Sequence, residues 1–406
     1  MKQTKNNLLC AKGFKVAGEH IGIKKSNKDL AIIYSETPCI YAGAFTLNEV
    51  KAAPVLWDEK ILQQSKMVHG VVVNSGNANA VTGTQGMENT QTMASLSAKA
   101  VGKSANEMLV CSTGVIGVQL PMDKICEGIS LVASKLDDSP QSSNNVAEAI
   151  LTTDTCIKEI AFCEEIGGQT INVGAIGKGS GMIHPNMATM LAFVTTDAKI
   201  TQPMLQKALS KCINTTFNMI TVDGDTSTND SVIILANGQA QNLIIDKEDE
   251  NFSKFCEILE AALKHIAIVI VQDGEGATKL LEVQMSNVLN FERGKSLAKS
   301  ILTSSLVKTA FFGEDANWGR ILAAMGYAGV PLNSENISLT LKSKSGSILM
   351  FEKGIPVHFD EDFALTILKE KEIQIIVDMA EGTEIVRAWG CDLSYDYVKI
   401  NGEYRS

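Results

Sequence analysis

The sequence predicts an α+β fold of layered sheets and helices, and three observations carry that expectation. Short runs alternate apolar and polar residues as half-buried strands do; other stretches carry apolar stripes at helical spacing; and several strands follow one another directly. With 406 residues, and roughly 150 per domain as a guide, the chain has room for two or three domains.

Val71-Val72-Val73 reads as a buried strand running into Asn74–Ala80, a polar stretch expected to turn with unusual backbone angles. Met190–Val194 reads as another apolar strand. Thr201 is a good N-cap with Pro203 in the first turn, and Met204, Leu205, Ala208, Leu209, Cys212 and Ile213 share one helical face. Phe252, Phe255, Cys256, Leu259 and Leu263 form a second stripe; both stripes read as core. Leu281, Val283 and Met285 alternate with Glu282, Gln284 and Ser286, and Ile337, Leu339 and Leu341 repeat that period. A turn at Ser345-Gly346 leads into Ile348–Met350 as a hairpin, Asp362–Lys369 reads as a short helix, and Ile373–Val377 as a strand. The smaller C-terminal domain is expected to begin near Ser286, giving 1–285 and 286–406.

Composition narrows the class. Hydrophobic residues make up 45% and charged residues 20%, the balance of a globular chain, and the net charge of −10 disfavours phosphate backbones and anionic lipid. The run Ile266–Val271 is far short of the ~20 residues that span a bilayer, and the polar start lacks a signal-peptide core. A cytoplasmic protein that binds neither nucleic acid nor membrane is expected. Nine scattered cysteines with no Cys-x-x-Cys pair and no cluster with histidine argue against a disulfide framework or a structural zinc site, and none of the five histidines has the spacing of a metal motif.

The most unusual stretch is Gly174–Leu191, with four glycines in eight residues around Lys178. It fails the phosphate-loop pattern twice, at Asn172 and Gly179. By itself it reads equally as a flexible turn with a solvated lysine. Thr189 stands at the entrance of the Met190–Val194 strand, which is ordinary for a β former. It is also what an N-terminal nucleophile requires: were the Ala188–Thr189 bond cut, the free α-amine, with a pKa of ~8, could take the threonine's own hydroxyl proton without any histidine.

At these residues the chain resembles the ornithine acetyltransferase (glutamate N-acetyltransferase) family of arginine biosynthesis, whose members cleave themselves before an internal threonine. The matching stretches are Lys12–Gly18, Lys51–Pro54, Asn74–Ala80, Cys111–Gly117, Thr152–Thr155, Lys178–Thr189, Asp223–Asp230, Asp273–Lys279 and Asn401–Ser406, in that order along nearly the whole chain. One departure is Ala316, where the family usually has proline; it removes a rigid turn but no reacting group.

The resemblance implies a layered α/β sandwich of the kind seen in self-processing aminopeptidases, with a smaller C-terminal α/β domain whose tail returns to the site. It implies self-cleavage into an α chain, 1–188, and a β chain, 189–406, and an assembly of two of each. Thr189 is then the nucleophile, Thr113 and Gly114 the oxyanion hole, and Thr152, Lys178, Thr189, Glu275, Asn401 and Ser406 the substrate-binding residues. The implied reaction moves an acetyl group from N-acetylornithine to glutamate through an acetyl-threonine whose ester keeps the acyl group reactive, so it needs no metal and no organic cofactor, with acetyl-CoA left open as a further donor. Two rivals stay beside it: a hydrolase with the same nucleophile, and a non-catalytic protein whose Gly-Lys-Gly loop holds an anion.

Overall fold

Apolar runs buried on both faces build the first of two sheets. Val71, Val72 and Val73 are fully buried, as are Ile32 and Ile33 on the neighbouring strand. The computed structural model describes residues 1–5, 7–64, 67–184 and 190–403. Through residue 272 the described chain runs β1 (Lys2–Gln3), β2 (Phe14–Glu19), β3 (Leu30–Phe45), α1 (Ala53–Gln64), β4 (Val68–Asn77), α2 (Gly83–Ala100), β5 (Met108–Val115), α3 (Met122–Ser134), α4 (Pro140–Ala149), β6 (Lys158–Ile166), β7 (Gln169–Lys178), β8 (Leu191–Thr196), α5 (Gln202–Thr215), β9 (Ile220–Thr221), β10 (Ser231–Ala236) and α6 (Glu250–Gln272). It continues through β11 (Leu280–Val288), α7 (Phe291–Thr303), α8 (Ser305–Phe312), α9 (Trp318–Gly326), β12 (Ser338–Ser343), β13 (Gly346–Glu352), β14 (Ile355–Pro356), α10 (Glu361–Leu368), β15 (Glu372–Asp378), β16 (Glu384–Cys391) and α11 (Tyr395–Gly402).

Two units emerge. Residues 1–179, 190–218 and 226–270 form the first; residues 180–184, 219–225 and 271–403 form the second. The first unit's sheet has the order β1-β6-β7-β8-β10-β3-β4-β5, with β2 also on β3. The long β3 joins its halves: Leu30–Tyr34 lies between β2 and β4, and Ile40–Phe45 pairs with β10. Helices α1 to α4 pack on β2, β3 and β5, and α5 packs on β3. In the middle of the sheet β8 is flanked by β7 and β10, in the register Lys178, Leu191, Ser231.

The second unit's sheet has the order β14-β13-β12-β15-β11-β16-β9, with α7 packed on β11 and β16. Leu281, Val283 and Met285 are buried as their alternation predicts, and β12 and β13 form the expected hairpin, closing at Ser343 opposite Gly346. The α+β expectation holds in both units.

Two details differ from the sequence reading. The polar stretch from Asn74 does not turn at once: β4 continues to Asn77 because its backbone pairs with the parallel β5, and the unusual angles come at Gly76 (φ +99°), Asn79 (+46°) and Val81 (+57°). A boundary at 285/286 would cut β11, which is held between β15 and β16, and the second unit takes up the chain from Val271. At Ala316 the turn survives without proline, because the Asn317 N–H donates to the Asp315 carbonyl (2.7 Å) and the Asn317 side chain caps α9 at the Arg320 N–H (3.2 Å).

Candidate active site

The ends of β4 and β5 meet in an irregular ladder. Gly76 faces Gly114, and Asn77 then faces both Thr113 and Val115, a bulge of the kind that re-aims strand ends. Gly114 has φ +131°, and a Cβ there would lie 2.3 Å from the Gly76 carbonyl carbon. Only glycine fits so close an approach. Thr113 beside it is buried, with its hydroxyl 3.4 Å from the Lys178 ammonium, which donates to it.

Lys178 ends β7, and among the described residues the next element is β8 and not the helix that a phosphate loop opens. Its ammonium lies 3.9 Å from the Asp154 carboxylate. The Asp154 side chain is fully buried and collects donors: Lys158 at 2.7 Å, the Gly179 N–H at 2.6 Å and the Thr152 N–H at 2.9 Å. Burial pushes this carboxyl up, but the Lys178 and Lys158 charges and the hydrogen bonds outweigh it and hold it well below the usual carboxylate range. Asp230 goes the other way. It is 2% exposed, burial pushes its carboxyl far up, Ser227 and Lys178 only partly offset this, and its Oδ2 has no hydrogen-bond partner among the described residues. The next residue, Ser231, donates its N–H to the Met190 carbonyl at 2.9 Å, which fixes the entrance of β8.

The second unit has its own polar cluster. The buried Glu275 receives Asn401 Nδ2 at 2.7 Å, its N–H donates to the Ser180 carbonyl, and its carboxylate lies where a Cβ on Gly181 would be. Asp223 accepts the N–H groups of Met182 (2.6 Å) and Ile183 (2.9 Å) and the Tyr397 hydroxyl (3.3 Å). Burial first, then the charges of Asp223, Glu275 and Asp225, raise the Tyr397 phenol above its ordinary range. Carboxylates so grouped suit a cationic ligand.

The structure therefore brings Thr113, Gly114, Thr152 and Lys178 together in the first unit, and Glu275 with Asn401 in the second. Ala188, Thr189 and Ser406 lie outside the described residues. Sequence reasoning assigned nothing to Asp154, Lys158, Asp223, Asn229 or Tyr397. Three of these stood in matching stretches, Thr152–Thr155 and Asp223–Asp230, and that membership was the only signal available. Among the described residues no three histidines, cysteines or carboxylates gather closely enough to hold a metal ion, and no helix is long and apolar enough to cross a membrane.

The model of the ArgJ family matches residues 15–406. The arginine biosynthesis bifunctional protein ArgJ of Thermotoga neapolitana is 50% identical over 400 residues, which is 98% of this chain and 100% of that protein. The protein of the same name from Listeria monocytogenes is 45% identical over 406 residues, covering 100% of both. Among solved structures, the arginine biosynthesis bifunctional protein ArgJ of Bacillus halodurans is similar at 45% identity with a TM-score of 0.50, over 53% of this chain and 99% of the solved one.

Proposed function

From the premise that this chain belongs to the ArgJ family, we propose that it is a self-cleaving acetyltransferase that moves an acetyl group from N-acetylornithine to glutamate in arginine biosynthesis. The observation that carries the reading is full-length similarity to proteins of that name together with the bulged Thr113-Gly114 strand end beside a buried lysine.

Cleavage before Thr189 leaves chains of 188 and 218 residues. The Bacillus halodurans chain, matched over 99% of its length by 53% of this one, is of the length such a cut produces. In the first half-reaction the Thr189 hydroxyl attacks the acetyl carbonyl while its proton passes to the α-amine. Thr113 and Gly114 donate to the oxyanion, the tetrahedral adduct collapses, and ornithine leaves with the proton. In the second, the glutamate amine attacks the acetyl-threonine ester, releasing N-acetylglutamate and restoring the hydroxyl. Lys178 and Thr152 serve the substrate carboxylate, and Glu275, Asn401 and Ser406 its ammonium and orientation. We place the enzyme in the cytoplasm as an assembly of two α and two β chains.

Intact-mass measurement tests this. The expected result is two chains, with one acetyl group added to the 218-residue chain on incubation with N-acetylornithine and removed by glutamate, while Thr189→Ala stays whole and unlabelled. An uncut, unacetylated wild-type chain overturns the reading, and loss of the acetyl group to water as fast as to glutamate makes the protein a hydrolase. The same assay with acetyl-CoA in place of N-acetylornithine reads the second donor.

A further inference from the structure

Asn229 lies on the segment that leads into β10 and is 6% exposed. Its amide nitrogen donates twice, to the Ala78 carbonyl at 2.6 Å and to the Ser112 carbonyl at 2.8 Å, and its Oδ1 accepts the Thr228 hydroxyl at 2.6 Å. Ser112 immediately precedes Thr113 on β5, and Ala78 is the first residue after β4. The amide therefore clamps the two strand ends whose bulge sets the conformation of Gly114.

The clamp is continued by other buried amides. The Ser112 hydroxyl donates to Asn74 Oδ1 (2.6 Å), Asn74 Nδ2 donates to the Asn77 carbonyl (2.8 Å), and the Asn79 N–H donates to Asn77 Oδ1 (2.8 Å). Ala78 also donates its N–H to the Val115 carbonyl at 2.9 Å. A buried network with every member satisfied is rigid.

The backbone around Asn229 is pinned on the other side. Thr228 and Asp230 offer their carbonyls to the N–H groups of Ala52 and Thr46, and Ser231 donates to the Met190 carbonyl. Met190 is bonded to Thr189. One short segment thus ties the strand that follows the candidate nucleophile to the strand that carries the candidate oxyanion donors. For acyl transfer that distance matters greatly, because the donors must meet the position the oxyanion will occupy.

We propose that Asn229 is a positioning residue for acyl transfer, holding Ser112 and Ala78 so that Thr113 and Gly114 stay in register with the start of β8. The proposal rests on the oxyanion-hole reading above. Asn229 touches no reacting atom, so its loss should slow the acetyl step and leave substrate affinity nearly alone.

The test is steady-state and single-turnover kinetics on the processed enzyme with N-acetylornithine and glutamate. Asn229→Ala is expected to lower kcat by about 10- to 100-fold with KM changed by less than about threefold. Combined with Thr113→Ala it should cost little more than Thr113→Ala alone, because both changes disable the same donor group. A kcat within about threefold of wild type, or losses that multiply in the double variant, overturns the role of Asn229. If Asn229→Ala does not fold or process, Ser112→Ala reads the same clamp from its other end, through the lost bond to Asn74; it should show the same non-additive fall in kcat, and an unchanged kcat overturns the proposal. If Thr113→Ala itself keeps full kcat, the oxyanion-hole reading fails instead.

Discussion

Asp154 shows how a residue without an assigned role can organise those for which one is proposed. Its buried carboxylate touches the Thr152 N–H, the Gly179 N–H and the Lys158 ammonium, and stands 3.9 Å from Lys178. Removing one partner of a buried ion pair costs about 3 kcal/mol or more, because the remaining charge keeps its desolvation penalty. Asp154→Asn is therefore expected to lower the urea unfolding free energy by about that amount, and Asp154→Asn with Lys158→Met to recover much of it. An unchanged midpoint for the single variant would remove Asp154 from this account. Lys178 and Thr113 were legible in the sequence because each sits in a stretch that matches a family. Asp154 and Asn229 were not, since what defines them is which atoms lie 2.6–2.8 Å away across 25 to 151 positions of chain.

Strands and helices with a clean period were read correctly from the sequence, α5, β11 and β15 among them, because burying one face suffices to fix them. The Asn74–Ala80 stretch was misread in part, since local turn chemistry competes there with pairing to a strand more than thirty residues later, and pairing prevails as far as Asn77. The same contact sets a prediction for β5. Gly114→Ala suffers both a positive φ and a Cβ 2.3 Å from the Gly76 carbonyl carbon, whereas Gly102→Ala, at φ +71° with nothing within 4 Å, suffers only the first. Gly102→Ala should cost about 1 kcal/mol, and Gly114→Ala should cost well over 3 kcal/mol or yield no folded protein. Equal thermal melts for the two variants would show that the Gly76–Gly114 approach is loose.

At the scale of the whole protein, stability should fall on the acid side of neutrality, and His184 supplies part of that slope. Burial, then the charges of Lys299 and Lys295, push its imidazole down from 6.5 to about 4. Its folded value is thus below its unfolded one, so the unfolded chain takes up the proton first. The contribution is complete above about pH 6.5 and is lost as pH falls toward 4, by roughly 3 kcal/mol at most. His184→Asn should flatten this part of the profile in denaturant titrations at pH 7, 6 and 5; a profile of undiminished slope would assign the loss to other groups. The organisation into two units could not be read from composition, because no linker marks it: the second unit draws on three separate stretches of the chain.

Under the proposed self-cleavage, that interlacing would make the protein's history part of its structure. β8 and β10 lie between β7 and β3 in one sheet, so a cut between residues 188 and 189 leaves two polypeptides woven through each other, with 180–184 of the earlier piece belonging to the second unit. A molecule cut there would have to fold first. Once cut and then unfolded, its halves would have to find each other by diffusion and rethread a nine-stranded sheet, a search that the uncut chain never faced. The mature form would then persist through the slowness of its unfolding, and a sample denatured and returned to buffer would not regain activity while the uncut Thr189→Ala chain refolds.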